Sequence, residues 1–443
     1  MIKTNVLSVF SKRSEEKMYR MYESLRSFNV VWRMLICLLL VVPLHATIPH
    51  NFFAAYNVLI VPYRPPQCAF QFQLAGEFGF HTRGFMGDDD LGTVVGHTDS
   101  AVNVLQIYQC AQDAVAALKG LDPLSAQGQM AQQLIVDEEG LLGVFKPSGT
   151  INAHANLVLA ARFRLPYQLT WSFYLPYRIV ELSNVFWQEL GADSGLAITP
   201  ADFLNQVAEL GNLDLGGWKR HGFGDLVSRV EMYRTFPQNR SWLQMVGIAL
   251  RAGMIFPTAL KGDPDKLLAQ PFGDDSGVGL HGSGMLELNY RHGIVLGVDG
   301  EISYFFGNTG MRRIKTDSAQ TDLLLLTKVP AFKNAGLTQR FTLYAEKVQR
   351  GGGLAGTLAY QYFKRTDDTL YPCVEGFDIQ VINDAESLQE VTSHSLIFML
   401  TYDWAYQSSW CVVPACSAFL KVGCNGKRAV VADTVGFTAS VAF

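Results

Sequence analysis

The sequence has few charged residues and no long apolar run beyond its first 46 residues. Only 17% of its 443 residues are charged, against roughly 25% in an average soluble protein. After Ala46 no stretch approaches the roughly 18 uncharged apolar residues that indicate a transmembrane helix, so helical membrane spans are excluded there. Lys+Arg number 36 and Asp+Glu 40, a net charge of −4, and this balance excludes nucleic acid as an expected partner.

Aromatic residues and glycine are abundant. Phe, Trp and Tyr make up 12% of the chain, and there are 40 glycines. Aromatic side chains favour strands, and glycine is frequent in turns. The composition therefore favours an all-β fold over a helical one.

The first 46 residues contain, in order, the basic, apolar and small-residue regions of a secretory signal peptide. Seven basic side chains precede the apolar run Met34–Leu44, and His45 and the small residue Ala46 follow it. The run has 11 residues, fewer than the about 20 needed to span a bilayer. We therefore predict that residues 1–46 are a signal peptide. The true start of the chain is then expected at Met18 or Met21. An uncleaved membrane anchor is the alternative to a cleaved signal peptide.

Long segments after the signal alternate between apolar and polar residues. The clearest are Ala69–His81, Ile151–Leu165 and Tyr167–Ile179. The same period recurs in 242–257, 277–291, 293–306, 336–346, 353–364, 394–404 and 429–443. Strands of soluble proteins have about 5–6 residues, whereas a strand of a membrane barrel alternates over about 10 positions between lipid and a polar lumen. The pattern therefore predicts membrane-spanning strands, and it assigns His81 and His154 to the polar face.

The last predicted strand carries a further signal. Counting back from Phe443, Val441, Ala439, Phe437 and Val435 occupy every second position. This strand resembles the C-terminal recognition signal of Gram-negative outer-membrane proteins. The resemblance implies that the barrel assembly machinery reads Val435, Phe437, Val441 and Phe443. It also implies a transmembrane antiparallel β-barrel in the cell outer membrane, with lipid as its surroundings.

Connection lengths give the expected topology. Short turns and long loops alternate, as in barrels with long extracellular loops, and 151–165 is expected to run toward the periplasm. Strand parity requires one more strand between 353 and 404, which we place near Gly376–Asn383. Segment 82–150 is either one external loop or contains two strands, at Ala101–Gln109 and Gly140–Lys146. The expected barrel has 14 or 16 strands; about 14 is favoured, within a range of 12–16.

Short helices are expected in the long loops. Thr199-Pro200 has the form of a helix start before Phe203–Leu210, and Asp263-Pro264 has the same form before Asp265–Gln270. Ala111–Gly120 is a third candidate. Residues 47–68 are expected to be a periplasmic segment or a lumen plug, and 69–443 the barrel.

A barrel of this width is expected to enclose a passage. Its predicted pore-lining residues are Arg162, Arg164, Arg178, Arg229, Glu231, Arg251, Glu287, Asp299, Glu301, Arg340 and Glu346. Arginines on three successive strands would oppose carboxylates on the next two, an arrangement that resembles the constriction of general porins and controls solute selectivity. Pairing of these groups with one another is the alternative. The predicted function is passive diffusion of small solutes through a mixed-charge lumen.

A second resemblance gives an alternative. Gly247–Phe256 leads into Pro257-Thr258, as in transporters of long-chain fatty acids and aromatic hydrocarbons, which have 14 strands and an N-terminal plug. Residues 47–68 have the position of such a plug, but its Asn-Pro-Ala signature is missing. A structural or adhesive surface barrel is the alternative of another class.

No catalytic, cofactor or metal site is predicted. His97, Asp99 and Ser100 are of catalytic types but have no evident orienting partner. The acidic loops at Asp88–Asp90 and Asp274-Asp275 are of a type that binds Ca²⁺ but are more often only solvated. Seven cysteines give no pairing from spacing. Homo-oligomer formation is left open.

Overall fold

The structure is a computed structural model of the chain. It describes residues 69–87, 101–134, 143–190, 199–275, 277–349, 353–404 and 413–443. The predicted signal peptide, the segment 47–68, the candidate catalytic residues 97–100 and Asp88–Asp90 lie outside these residues. No helix among the described residues is long and apolar enough to cross a membrane.

The described residues form an all-β structure. Their strands are β1 Phe70–Phe85, β2 Gln112–Asp113, β3 Val144–Arg164, β4 Leu169–Glu189, β5 Trp218–Phe223, β6 Leu226–Pro237, β7 Leu243–Phe256, β8 Gly279–Tyr290, β9 Ile294–Phe305, β10 Asn308–Arg313, β11 Lys328–Asn334, β12 Thr338–Val348, β13 Leu354–Arg365, β14 Thr369–Pro372, β15 Val391–Asp403, β16 Val413–Lys427 and β17 Ala429–Ala442. The helices are α1 Ala114–Lys119, α2 Ala126–Leu134, α3 Pro200–Gly211 and α4 Ile379–Asn383.

Twelve of these strands close into an antiparallel barrel. Their order around the ring is β3, β1, β17, β16, β15, β13, β12, β9, β8, β7, β6 and β4, and β4 pairs back with β3. The seam joins β1 to β17, where Gln71 lies opposite Ala442 and the Phe70 and Phe443 rings stack at 6.1 Å. The closed ring thus has 12 strands rather than the favoured 14, while β2 and β5 add to the sheet outside it.

The outer wall is apolar and the inner wall polar, because successive side chains of a strand point to opposite faces. On β8, Leu280 and Leu286 are exposed outward, whereas His281 and Glu287 are buried inside. Aromatic side chains lie at both ends of the wall: Tyr304 packs on Phe306, and Trp242 stacks on Tyr290. The ten residue steps from Leu280 to Tyr290 span about 33 Å along the strand, or about 25 Å of height at the usual tilt, which is the height of a lipid-facing band.

All long connections emerge at one end of the barrel, which we call the loop end. We name them L1 (86–143), L2 (190–225), L3 (257–278), L4 (306–337) and L5 (366–390). The described tight connections lie at the turn end, except the one at Arg428 between β16 and β17, which lies at the loop end. These loop positions explain why the extra strand predicted between 353 and 404 is not needed. Residues 320–330 do not cross the barrel, since β10, β11 and β14 form a separate three-stranded sheet above it, and Gly376–Asn383 contains the helix α4 instead of a strand. Without a strand at Gly376–Asn383, neighbouring ring strands still alternate in direction and their number is even.

Two β-bulges move histidines from the predicted polar face. A register shift between Gly79 and His81 turns His81 outward, where it is 3.3 Å from Asp433. A second shift, between Ala153 and Ala155, leaves His154 bonded to Glu181 at 2.6 Å. A bulge adds one residue and so reverses the alternation locally.

The described parts of L1 to L5 pack into a cap over the loop end. Its largest apolar cluster joins Leu105 of L1 and Phe272 of L3 to Ile151 and Val180, which lie on extensions of β3 and β4. A second cluster joins α1, α2 and α3 around Leu118.

One cap element begins where it was predicted, and the others differ from their predictions. Thr199 caps α3 through its hydroxyl, at the predicted start. Residues 265–270 form turns rather than a helix. Residues 101–109 contain a short 3-10 turn instead of a strand, and Val144 to Lys146 belong to the long β3 rather than to a separate strand.

Candidate functional site

The barrel interior gathers the charged residues that the sequence analysis assigned to the lumen. Ten of the eleven are buried on inward positions: Arg162, Arg178, Arg229, Glu231, Arg251, Glu287, Asp299, Glu301, Arg340 and Glu346. Arg164, the last residue of β3, is exposed at the turn end. Strand alternation alone therefore brings most of the predicted set together.

A chain of opposite charges crosses four neighbouring strands, from β6 to β9. Arg251 on β7 donates through Nε to Glu231 on β6 at 2.8 Å, and its Nη1 bonds to Asp299 on β9. All three side chains are at most 3% exposed. The predicted separation of arginines from carboxylates therefore does not hold at Arg251, which lies between two acids. Since buried charges are costly unless paired, the contact compensates their desolvation.

A second ionic contact lies one strand further round the ring. Arg340 on β12 bonds to Glu301 on β9, directly opposite it in the strand register. The ring of His281 on β8 lies 3.8 Å from the same carboxylate and 3.4 Å from the Ser303 hydroxyl. The two contacts place a cation and an imidazole on one buried acid.

Two further carboxylates are held by hydroxyl groups. Glu287 accepts hydrogen bonds from Tyr344 at 2.5 Å and from Tyr233 at 3.1 Å. Glu346 accepts one from Thr357 at 3.3 Å. Hydrogen bonds to a carboxylate satisfy its lone pairs in a buried setting, so this side of the interior is rich in well-anchored acids.

The part of the interior formed by β3, β4 and β6 carries an arginine–tyrosine cluster, formed by Arg162, Arg229 and Tyr174. The Tyr174 hydroxyl accepts from Arg229 at 2.7 Å and from Arg162 at 3.4 Å. The Arg229 guanidinium also lies 5.1 Å from the centre of the tyrosine ring, within cation–π range, and 3.6 Å from Glu231. Two guanidinium groups from β3 and β6 thus meet on one aromatic side chain of β4.

Charged residues outside the predicted pore-lining set complete the interior. Glu77 on β1 accepts from Thr434 at 2.8 Å and from Asn156 at 3.2 Å. Lys421 is buried on β16, a strand that the sequence analysis did not identify. The alternation of Ser417, Phe419 and Lys421 indicates its inward position. This alternation is weak, because small residues and cysteines occupy the other face.

Arg178 connects the interior to the cap. Its Nη1 donates to the Phe272 carbonyl oxygen of L3 at 2.9 Å, and its Nε donates to Asn156 at 3.3 Å. Nearby in L2, the Asp225 carboxylate accepts the backbone N–H of Asp274 at 2.7 Å. Burial raises the pKa of Asp225 to about 6, although its backbone hydrogen bonds and Arg178 oppose the rise.

Ionic contacts at the loop end join L3, L4 and L5. Arg365 binds Asp274 at 2.6 Å and Asp368 at 2.8 Å, and Lys333 binds Asp368 at 2.6 Å. Although burial opposes it, the charges of Arg365 and Lys333 hold the pKa of Asp368 well below its usual range. We call Arg365, Asp274, Asp368 and Lys333 the latch, because each link joins a different pair of segments.

Metal-binding and thiol groups give no assembled site among the described residues. No group of three or more His, Cys, Asp or Glu side chains there could hold a metal ion. In the acidic pair of L3, Asp274 contacts Arg365 and Asp275 contacts Arg312. Cys110, Cys373, Cys416 and Cys424 are free thiols.

Solved structures similar to this chain include a channel and LpxR. No protein-family model and no curated protein matches the chain. A crystal structure of an outer membrane channel from Pseudomonas putida F1 shares 10% identity at a TM-score of 0.46, covering 85% of this chain and 96% of the other. LpxR from Salmonella typhimurium shares 10% identity at a TM-score of 0.28, covering 84% and 100%. Both scores are too low to support an argument, so the assignment depends on the geometry: this chain forms a closed antiparallel β-barrel of 12 strands.

Proposed function

We propose that this protein is an outer-membrane channel for small polar solutes. The single observation that carries the proposal is the contrast between the two faces of the closed barrel. Its outer wall is apolar between two sets of aromatic side chains, whereas its inner wall is charged. A wall of this kind faces lipid outside and a polar lumen inside. The turn end is then periplasmic and the loop end extracellular.

The charges of the interior favour polar solutes over hydrophobic ligands. Among the described residues the buried inward acids are Glu77, Glu231, Glu287, Asp299, Glu301 and Glu346, and the bases are Arg162, Arg178, Arg229, Arg251, Arg340 and Lys421. Sites for hydrophobic ligands are lined mainly by apolar and aromatic side chains. This lining therefore supports the channel over the fatty-acid transporter alternative, and its balance of acids and bases favours neither cations nor anions strongly.

The size of the ring and the cap favour small solutes. Barrels of about 8 strands have filled interiors, and those of 16–18 enclose wide aqueous channels. A ring of 12 strands lies between these limits. The packed loops of the cap cover the loop end, so a solute would enter between loops rather than through a wide mouth.

Planar-bilayer conductance of the refolded chain tests the proposal. We expect small, salt-dependent current steps, and Arg229→Glu should shift the reversal potential toward cation preference, because it reverses one charge of the arginine–tyrosine cluster. Arg164→Glu is the matched control: it makes the same change at the exposed rim and should shift the potential less.

Two outcomes would contradict the channel. The absence of current at every salt concentration, together with saturable fatty-acid binding, would support the plugged transporter instead. Equal shifts in the Arg229 and Arg164 variants would show that the interior does not set selectivity.

A further inference from the structure

The turn end of the barrel carries a group of exposed basic side chains. Arg240 and Arg291 lie in the β6–β7 and β8–β9 turns, and Arg234 and Lys347 lie near the ends of β6 and β12. We call these four residues the basic arc, because β6, β7, β8, β9 and β12 are consecutive in the ring. All four side chains are exposed, so their charges add to one positive potential at this surface.

The basic arc has no acidic side chain paired with it. Among the described residues, none of its four members forms an ion pair, and Lys347 donates to the backbone oxygen of His292 instead. The acids on the same strands are buried in the inner wall: Glu231, Glu287, Asp299, Glu301 and Glu346. The positive charge of the arc is therefore not neutralised at the outer surface.

The other acids of the turn end lie elsewhere on the ring. Asp403 ends β15, which β13 separates from β12, and the C-terminal carboxylate of Phe443 follows β17. With Arg164, the described turn end has five exposed basic side chains against these two negative charges. The excess of three positive charges lies on the side of the ring that contains the basic arc.

Two members of the basic arc lie on the lipid-facing side of the wall. Arg234 shares its face of β6 with Val230 and Phe236, which are 41% and 45% exposed. Lys347 shares its face of β12 with the exposed Leu343. Since side chains two positions apart point the same way, both cations are directed toward the membrane. A lipid headgroup would meet them there, whereas a protein in the aqueous phase would meet mainly the turn tips.

An aromatic pair lies between the two arginine-bearing turns. Trp242 stacks on Tyr290 with ring centres 5.7 Å apart, and the backbone N–H of Arg291 donates to the Trp242 carbonyl oxygen at 2.9 Å. These contacts hold the turns together, with Arg240 and Arg291 on either side of one aromatic surface. Tryptophan and tyrosine are enriched at membrane–water interfaces, so this pair indicates that the arginines lie at the level of the lipid headgroups.

We propose that the basic arc binds the anionic headgroups of phospholipids in the leaflet at the turn end. Phosphate oxygens would accept hydrogen bonds from Arg234, Arg240 and Arg291, because a guanidinium group binds phosphate with two parallel N–H donors. The acyl chains would lie against Trp242 and the apolar outer wall. The inference depends on the proposed function only for the orientation, which makes this leaflet the periplasmic one.

Quenching of tryptophan fluorescence by brominated lipids tests the proposal. The refolded full chain is placed in phosphatidylcholine vesicles that contain a small share of brominated phosphatidylglycerol, or the same share of brominated phosphatidylcholine with identical acyl chains. We expect stronger quenching by phosphatidylglycerol, and the excess should disappear at about 1 M salt, where the Debye length is about 3 Å. Both leaflets contain the quencher, so the direction of insertion does not affect the result. Equal quenching by the two lipids at low salt would overturn the proposal.

Removal of charge from the basic arc tests the location of the site. Arg240→Gln and Arg291→Gln should each weaken the binding of phosphatidylglycerol about fivefold, since a basic residue near an anionic membrane surface contributes about 1 kcal/mol. The binding of phosphatidylcholine should not change.

Two loop-end lysines give the matched control. The side chains of Lys219 and Lys266 are 60% and 37% exposed, and they pair with Glu181 at 3.7 Å and with Asp214 at 3.9 Å. The double variant Lys219→Gln, Lys266→Gln removes as much charge as the double variant of Arg240 and Arg291, but it should leave the excess quenching intact. Equal losses in the two double variants would contradict the location.

A tryptophan substitution and an acidic peptide test the occupant. Trp242→Phe should remove most of the excess quenching, because Trp242 lies between the two arginine-bearing turns; an unchanged excess would place the lipid elsewhere and overturn the proposal. Oligoglutamate is the probe for an acidic protein partner. If it binds the chain but not the double variant of Arg240 and Arg291, and phosphatidylglycerol gives no excess quenching, the arc binds acidic protein rather than lipid.

Lipid binding and conductance fail separately. Excess quenching without current in planar bilayers would retain the lipid site and remove the channel function. Current in phosphatidylcholine bilayers without excess quenching would do the reverse.

Discussion

The ring of Tyr344 covers Gly297 across the β9–β12 strand pair, so that a Cβ placed on Gly297 would lie 2.1 Å from Tyr344 Cζ. The glycine thereby leaves room for the tyrosine to reach Glu287. The same relationship recurs where Phe419 covers Gly436 inside the barrel. At both pairs the missing side chain fixes the position of an aromatic ring.

Gly297→Val should displace Tyr344 and break its bond to Glu287. We expect the free energy of unfolding to fall by about 1–3 kcal/mol, as for other overpacked interiors, measured by urea unfolding of the refolded protein. Gly300→Ala is the control, because a Cβ there meets nothing within 4 Å. A loss in the control as large as in the valine variant would contradict the steric explanation.

Arg251→Met should destabilise the barrel strongly, because it leaves Glu231 and Asp299 buried without their shared cation. Breaking a buried ion pair costs about 3–5 kcal/mol, whereas replacing all its members is much better tolerated. The triple variant Glu231→Gln, Arg251→Met, Asp299→Asn should therefore unfold at higher urea concentration than the single variant. If the single variant is the more stable of the two, the contacts do not act as one unit.

Asp368→Asn should loosen the latch and open the cap. The folded-state pKa of Asp368 is depressed, so its stabilising contribution is present above the unfolded value of about 3.9 and is lost as the pH falls through the folded value. At neutral pH we expect faster proteolysis of L5 and larger conductance. Asp384→Asn is the control, because Asp384 is 72% exposed and pairs with Lys315 at 3.6 Å; such surface pairs contribute about 0–1 kcal/mol. Equal proteolysis of both variants would refute the latch.

Asp225 should give the cap the opposite pH dependence. Its pKa is raised to about 6, so the folded cap favours the protonated acid, and stability falls as the pH rises from about 4 to 6. Hydrogen exchange of the Asp274 and Ala259 amides, which donate to Asp225, should accelerate over this range beyond the intrinsic effect of pH. Asp225→Asn should remove the extra acceleration; if it persists, another group is responsible.

The ring strands could be predicted from sequence because their two faces meet different surroundings. The alternation of Phe70, Phe72 and Leu74 with Gln71 and Gln73 is visible in the sequence itself. Alternation of this kind predicts most of the charged residues that face inward. Where the alternation was weak, as on β16, the strand was not identified.

The remaining features depend on tertiary contacts. No local signal predicted that a bulge would turn His81 outward, because a bulge changes the register without a fixed residue type. A ring strand was predicted near Gly376–Asn383 because strand parity gives the number of strands but not the sheet to which each segment belongs. Pairing of Arg251 with Asp299 required the register of three strands, which the sequence does not give.

The seam between β1 and β17 has a consequence for the order of folding. Glu77 and Thr434 meet across it although they are 357 positions apart, whereas β3 and β4 are joined through a tight turn with Tyr167 and Gln168 in left-handed backbone. Contacts between distant residues form slowly, since loop closure costs entropy before it is compensated. We therefore expect the β3–β4 hairpin to form early and the seam last, with unpaired edges on β1 and β17 until the cylinder closes.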